Sequence, residues 1–273
     1  MSQMRRTRAG ADRMRPGWTL RVLALIGYLF LWSPLIVVVI ISFDTSRFLA
    51  FPAQGFTFAN YAKVFAEGDF LSGFLTSLLV GAIVAVAATA CGTLAALALR
   101  RRPRGSGAVI ALLTSPLVVP HVVLGLALLM VFSQWRLTDS VWGIVLAHAV
   151  ITLPYTFRSV MASLETADVS SENAARVLGA GPLTVVRRVT LPLLRPGVTA
   201  ALIFGFLVSF DESVISLFIS GRHTTTLPVE LLNYVEVKAD PTVAALSVLL
   251  VLLSIIVMVV VNRILDVRKV LRA

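Results

Sequence analysis

Long apolar runs with almost no charge are the feature that most constrains this 273-residue chain. Five of the runs contain no charged residue, and a sixth is interrupted only by two acids. About 20 helical residues cross the roughly 30 Å of hydrocarbon in a bilayer, and a helix satisfies its backbone polar groups internally. The runs lack the alternating ten-residue segments of a membrane β-barrel. We therefore predict an all-α membrane protein with six transmembrane helices, at residues 22–43, 71–99, 108–133, 140–157, 197–220 and 242–262.

The basic residues predict how these spans are oriented. Of the 24 Lys and Arg residues, 19 fall on one side of the predicted membrane, in residues 1–21, 100–104, 158–195 and 263–273. Lys and Arg concentrate in loops that stay in the cytoplasm, so we expect the 1–21 and 263–273 tails to be cytoplasmic. The net charge of +10 then reflects topology and contact with lipid headgroups, and it predicts no nucleic-acid partner.

The polar segment 158–195 is too long to be a simple connection. A structureless loop of 38 residues is uncommon in a compact protein, so the segment should contain its own helices. Ser170 or Ser171 is a candidate N-cap for a helix that ends at Gly179, and a second short helix is predicted from Leu183 to Val189. Such a helix could dock in a groove of a soluble partner or lie on the lipid headgroups.

The spacing within this segment resembles the signature loop of importer-type ABC transporter permeases, E-A-A-x3-G-x9-I-x-L-P. The family's glutamate falls here on Asn173, the acid Glu172 stands one position earlier, and Val189 replaces the isoleucine. The resemblance implies a cytoplasmic coupling helix seated on the ATP-hydrolysing subunit. It assigns the coupling role to Glu172, Asn173, Ala174, Ala175, Gly179, Val189, Leu191 and Pro192.

The same resemblance implies a set of partners. These are a dimer of ATPase subunits, a second permease subunit that completes a heterodimer, and a periplasmic or extracellular substrate-binding protein. It places the chain in a bacterial inner membrane, in contact with lipid. ATP and magnesium would be bound by the ATPase subunits, and this chain would bind no cofactor.

Motifs for chemistry are absent from the sequence itself. There is no Gly-x4-Gly-Lys-Ser/Thr phosphate loop, so hydrolysis of ATP must come from a partner. There is also no His-Glu-x-x-His motif, no Gly-x-Ser-x-Gly motif and no cysteine cluster. We therefore predict no catalytic residue and no metal site, and the resemblance implies a transport subunit.

Prolines and histidines interrupt the apolar spans. Pro116, Pro120 and Pro154 mark helix breaks or kinks. His121 and His148 are isolated polar residues on separate predicted spans, and each has two possible roles: packing with interhelical hydrogen bonding, or contact with a ligand.

Two acids lie inside the fifth predicted span. Asp211 would be about 21 Å along a helix that begins near Gly197. A charge at that depth costs on the order of 3 kcal/mol, so the pair should face a water-filled path. The alternative is an acid held by an Arg or His from another helix.

Helical phase predicts which polar residues share a face. At about 100° per residue, Asp211 points about 100° away from the stripe that contains the other acid. We therefore predict a substrate path in which Glu212 is better placed than Asp211. Its predicted residues are Ser209, Asp211, Glu212, Ser213 and Ser216.

An anionic wall favours a cationic cargo. The stretch "SFDESVISLFISG", followed by "TLPVELLNYVEVKADPTVAALS", resembles the spermidine/putrescine group of ABC permeases. The resemblance implies uptake of a polyamine such as spermidine or putrescine. Other members of the family carry opines, amino-acid derivatives or other small organic solutes, so those cargoes stay open. A secondary transporter and an intramembrane enzyme with Asp211 and Glu212 as its acid and base are the rival classes.

Overall fold

The computed structural model describes residues 18–66 and 68–264, and this part of the chain contains helices and no β-strand. Residues 1–17 and 265–273, most of the two predicted tails, lie outside the described residues. The helices are α1 (Trp18–Ser42), α2 (Ala59–Ala66), α3 (Gly68–Leu99), α4 (Ser106–Thr114), α5 (His121–Gln134), α6 (Val141–Thr166), α7 (Val169–Val177), α8 (Pro182–Val185), α9 (Leu191–Leu193), α10 (Arg195–Phe210), α11 (Val214–Ile219), α12 (Leu227–Val237) and α13 (Thr242–Ile264). A 3₁₀ turn at Ser115–Leu117 follows α4, and a π-helical turn at Val186–Thr190 joins α8 to α9.

Within the described residues, four helices are long and apolar enough to cross a membrane: α1, α3, α6 and α13. Two further candidates are pairs of helices bent at a short break. The pair 106–117 and 121–134 is bent by 101°, and the pair 182–193 and 195–210 is bent by 68°. Counting each pair as one span gives six candidate spans. The predicted all-α membrane fold is therefore confirmed.

Three helices, α3, α6 and α10, form the centre of the bundle. They approach closely at small residues, as transmembrane helices do where packing and not hydrophobic burial holds them together. A Cβ atom on Gly92 of α3 would lie 2.8 Å from the backbone nitrogen of Phe157 on α6. At the same crossing, the Thr156 hydroxyl donates a 2.8 Å hydrogen bond to the Ala88 carbonyl. On α10, a Cβ on Gly205 would be 3.1 Å from Ala85.

The remaining helices surround this centre. α11 packs on α5 and α6, α12 packs on α3, and α13 lies against α1, α2 and α10. The Ser77 hydroxyl of α3 accepts a 2.9 Å hydrogen bond from the Leu227 N–H, which fixes the start of α12. α1 exposes most of its large apolar side chains, as expected for a helix facing lipid or another subunit.

The helix of the fourth predicted span continues beyond the predicted boundary. The structure extends α6 to Thr166, so residues 158–166 of the predicted 158–195 loop are helical. Arg158 ended the uncharged run in the sequence, but a helix does not have to stop where its residues leave the hydrocarbon. Pro154 lies inside α6 and does not interrupt it.

The third predicted span is broken, as its prolines indicated. The chain bends by 101° between the 3₁₀ turn and α5, across Val118–Pro120. Proline lacks an N–H donor and disfavours a helical conformation in the residue before it, so two prolines four positions apart stop a continuous helix.

The prediction of one continuous helix over 197–220 is wrong. α10 ends at Phe210, residues 211–213 are not helical, and α11 begins at Val214. The Glu212 carboxylate accepts a 2.9 Å hydrogen bond from the Ile215 N–H, which satisfies a free donor in the first turn of α11. Residues beyond Phe210 therefore do not continue the rotation of α10, and the helical-phase argument for the polar stripe fails.

Gly92→Ala should destabilise the bundle, because the added methyl group must displace the α6 backbone. We expect a loss of about 1–3 kcal/mol, measured as a lower unfolding temperature of the detergent-solubilised protein. Gly27→Ala is the matched control, because it is also helical and a Cβ there meets nothing within 4 Å. Equal unfolding temperatures for the two variants would contradict the close α3–α6 crossing.

Candidate functional site

The breaks in the third and fifth spans meet in space. His121, the first residue of α5, places its Nδ1 atom 3.1 Å from Oε2 of Glu212. Oε1 of the same carboxylate caps α11, so both oxygens have partners. The Glu212 side chain is 6% exposed and that of His121 is 41% exposed. Glu212 is thus an acid held by a histidine of another helix, at a junction of discontinuous helices like those that frame transporter sites.

His148 joins the two halves of the broken fifth span. This histidine of α6 is fully buried, with Nδ1 2.9 Å from the Ser209 hydroxyl of α10 and Nε2 2.8 Å from the Ser216 hydroxyl of α11. The Ser216 hydroxyl donates its one hydrogen to the Glu212 carbonyl oxygen at 2.7 Å. Ser216 must then accept from Nε2–H. The network therefore assigns a proton to Nε2 of an imidazole that fixes α10 against α11.

The predicted path residues separate into two groups. Ser209, Glu212 and Ser216 are buried around His148, whereas Asp211 is exposed and Ser213 is half-buried. The structure brings the first three together and leaves Asp211 as the acid at the surface of the break. Helical phase had favoured Glu212 over Asp211 as the acid that faces the path, whereas the structure buries Glu212 and exposes Asp211. A role of these residues in transport stays a prediction.

The partners of the two histidines are not evident from the sequence. Interhelical hydrogen bonding, one of the two alternatives for His148, is what the structure has. A histidine in an apolar helix signals that some polar partner must exist, because an unpaired polar group in that environment is costly. The partners of His148 come from positions 61 and 68 residues away, so only the packing of the helices identifies them.

The polar segment between α6 and α10 begins with a different cap from the one predicted. Asp168 is the N-cap of α7, and its carboxylate accepts a 2.8 Å hydrogen bond from the Ser170 N–H. Hydrogen bonds from the Ser170 hydroxyl and backbone hold the pKa of Asp168 below its ordinary value. Capping by Ser170 or Ser171 is therefore wrong, because an aspartate two residues earlier makes the same bond to a helix that starts sooner.

The predicted stop at Gly179 is confirmed. Gly179 has φ of +85°, its N–H bonds to the Arg176 carbonyl at 2.9 Å, and the Ala180 N–H bonds to the Ala175 carbonyl at 3.0 Å. These two bonds form a Schellman motif, which glycine accommodates without strain.

The second predicted helix ends too early. Instead of stopping at Val189, helical turns continue through the π turn and α9 to Leu193. Pro192 is tolerated because it lies in the first turn of α9, where its missing N–H is not required.

The segment presents an apolar tip. Three side chains near Gly179 are almost fully exposed: Val177 at 88%, Leu178 at 87% and Leu183 at 79%. Asn173 and Ala174 are also exposed, whereas Glu172 is buried. Of the other motif residues, Ala175, Val189 and Pro192 are half-buried, and Leu191 is 37% exposed. The arrangement leaves an apolar surface available to a groove on another protein.

Comparison with known proteins identifies the family. Residues 88–270 match the family described as the inner membrane component of binding-protein-dependent transport systems. The chain belongs to this family. The permease is accordingly a transport subunit of an inner membrane and not an enzyme, and the rival classes of secondary transporter and intramembrane enzyme are set aside.

Individual relatives support the same family assignment. The permease is 34% identical over 245 residues to the putrescine transport system permease protein PotI of Escherichia coli K12. The aligned residues cover 87% of this chain and 86% of the relative. It is 33% identical over 233 residues to the spermidine/putrescine permease protein PotC of the same strain, covering 85% and 88%. The predicted resemblance to ABC permeases of this group is confirmed.

A solved structure has the same fold. A chain of a bacterial ABC transporter involved in the import of alginate matches with a TM-score of 0.65. The match covers 89% of the permease and 94% of that chain at 17% identity. At this identity the match establishes the fold alone.

His148→Leu should loosen the junction of α10 and α11, because it leaves the buried Ser209 hydroxyl without its hydrogen-bond partner. We expect a loss of about 1–3 kcal/mol of stability, measured as the unfolding temperature of the purified protein. His223→Leu is the control, because that histidine is exposed. Ser209→Ala combined with His148→Leu should cost less than the sum of the single changes. Additive effects would contradict the bridge.

Proposed function

We propose that this permease forms one half of the membrane path of an ATP-driven importer for a small cationic solute, most directly a polyamine such as spermidine or putrescine. The observation that carries the proposal is an acidic pair at a helix break in a chain that is 34% identical to PotI and 33% identical to PotC. A carboxylate within a membrane path attracts protonated amines and repels anions.

The two acids have different roles in this proposal. Asp211 is exposed at the break and pairs with an ammonium group of the cargo. Glu212 is already bonded to His121 and to the Ile215 N–H, so it holds the break in shape. Ser209 and Ser216 support the same junction through His148, and Ser213 lies beside Asp211 at the edge of the path.

A second permease subunit supplies the opposite wall. An exposed acid at membrane depth needs water or protein in front of it, because lipid tails cannot solvate a carboxylate. A paired permease facing the α10–α11 break would enclose Asp211 in a water-filled path. We assign a heterodimer, with lipid against the exposed apolar face of α1.

Energy comes from a dimer of ATPase subunits that binds the segment between α6 and α10. The exposed side chains of Val177, Leu178 and Leu183 suit an apolar groove on that partner. ATP and magnesium are bound there, and this chain binds no cofactor. A substrate-binding protein delivers the cargo on the opposite side of the membrane.

The orientation follows from the basic residues. Arg101, Arg102 and Arg104 lie between α3 and α4, and Arg187 and Arg188 lie in the π turn. We assign this end of the bundle to the cytoplasm. An even number of spans then places both chain termini on the same side.

The decisive experiment reconstitutes the complete importer, with its ATPase, second permease and binding protein, into liposomes. Spermidine or putrescine should enter only when ATP is hydrolysed, and amino acids should not compete. Uptake without hydrolysis would refute the importer, and uptake of a neutral or anionic solute in place of amines would refute the polyamine assignment.

Asp211→Asn should weaken amine transport without affecting assembly, because it removes the charge that pairs with the cargo. We expect about a tenfold rise in the half-saturating amine concentration, which corresponds to a lost charged hydrogen bond. Glu236→Gln is the control, an exposed acid on α12 away from the break. An unchanged half-saturating concentration in Asp211→Asn would remove this residue from the cargo path.

Gly179→Val should lower the amount of amine transported per ATP hydrolysed, because a β-branched residue resists a φ of +85° and distorts the docking tip. Gly181→Val is the matched control, because a Cβ also meets nothing there and φ is −66°. The amount of amine transported per ATP hydrolysed is measured for both variants in the reconstituted importer. Equal ratios would show that the left-handed turn does not matter for coupling.

A further inference from the structure

Glu172 is buried in a helix that is otherwise largely exposed. Only 4% of Glu172 is accessible, whereas its neighbours Ser171, Asn173 and Ala174 are exposed. Its Oε1 atom accepts a short hydrogen bond from the Arg100 guanidinium and a 2.8 Å hydrogen bond from the Thr190 hydroxyl. One carboxylate oxygen therefore joins three separate segments of the chain.

Both partners of Glu172 lie close in sequence to the central helices. Arg100 follows Leu99, the last residue of α3, whose side chain is buried in the cluster formed by α3, α6 and α10. Thr190 ends the π turn, and its carbonyl accepts a 3.0 Å hydrogen bond from the Leu194 N–H, just before α10 begins. π turns occur often at functional positions, and this one contributes a buried threonine to the junction.

The junction is charged. Burial by itself would raise the pKa of Glu172, but the hydrogen bonds from Arg100 and Thr190 and the charges of Arg100 and Arg176 outweigh it and hold that pKa below its ordinary value. Removing either partner of a buried ion pair leaves an uncompensated charge, so the pair resists separation when α7 is displaced.

The position of the acid in the motif explains why it faces inward. One residue along a helix turns the side chain by about 100°. Asn173, at the position that the motif gives to glutamate, is exposed, while Glu172 faces the bundle. The acid of this chain is thus directed to the permease itself and away from the docking surface.

We propose that the Arg100–Glu172 ion pair, with Thr190, is the mechanical joint through which movement of the docking helix α7 is transmitted to the core helices α3 and α10. The joint rests on the proposed function, because it presupposes that an ATPase subunit moves α7. Arg100 and Glu172 act as positioning residues and touch neither cargo nor nucleotide.

The first test compares neutral variants in the complete reconstituted importer. Glu172→Gln and Arg100→Gln should keep the ATPase subunits bound and hydrolysing ATP, while transport per ATP falls about tenfold, a typical size for coupling between sites. The matched controls are Glu165→Gln and Arg101→Gln, which change an exposed acid and an exposed arginine nearby. The double variant Arg100→Glu with Glu172→Arg restores an ion pair of reversed charge, so it should recover part of the lost transport per ATP.

A second measurement does not depend on the cargo. Spin labels are placed at Ala174 on α7 and at Arg101 after α3, both exposed, with the single cysteine Cys91 replaced by serine. The distance distribution should be narrow in the otherwise unmodified permease within the importer and should broaden in Glu172→Gln. This readout remains valid if the importer carries something other than an amine.

Three outcomes would overturn the joint. These are a transport-to-ATP ratio in Glu172→Gln equal to that of Glu165→Gln, an unchanged distance distribution, or loss of ATPase binding together with coupling, which would assign the pair to the docking surface. Failure of the unmodified importer to transport polyamines, with broadening still seen in Glu172→Gln, would count against the proposed cargo and leave the joint supported.

Discussion

A backbone polar group in hydrocarbon must find its partner inside the protein, and the break between α10 and α11 depends on this requirement. Side chains supply what the interrupted helix cannot. Glu212 accepts from the Ile215 N–H, Ser216 donates to the Glu212 carbonyl, and His148 bonds Ser209 and Ser216 across the break. One acid is thereby committed to the fold, and its neighbour Asp211 is left exposed.

Polar contacts also hold α3 at both of its ends. Near its start, Ser77 accepts the Leu227 N–H and so positions α12. After its last residue, Arg100 holds Glu172 of α7. Between them, close packing at Gly92 presses α3 against α6. α3 is thus held at both ends and packed against α6 between them.

Much of the architecture could be predicted from the sequence, because a bilayer requires long apolar segments that are visible in the composition of the chain. The apolar runs, the break at Pro116 and Pro120 and the stop at Gly179 all follow from local chemistry: chain length, a missing N–H donor and a permitted positive φ. The errors arose where a side chain replaced a backbone partner. Apolar composition does not reveal that Glu212 caps a new helix or that Asp168 begins α7 early.

The sequence by itself determined the class of protein and the apolar segments that make it a membrane protein, because these depend on hydrophobicity and on motif spacing along the chain. Only the tertiary structure decided which acid is exposed and which is buried, and that His121, His148 and Arg100 are the partners of the polar groups. The physical reason is that these partners are dozens of residues apart, for example 61 for His148 and Ser209 and 72 for Arg100 and Glu172. Such pairs form only after the helices have packed, and the local pattern of neither segment contains them.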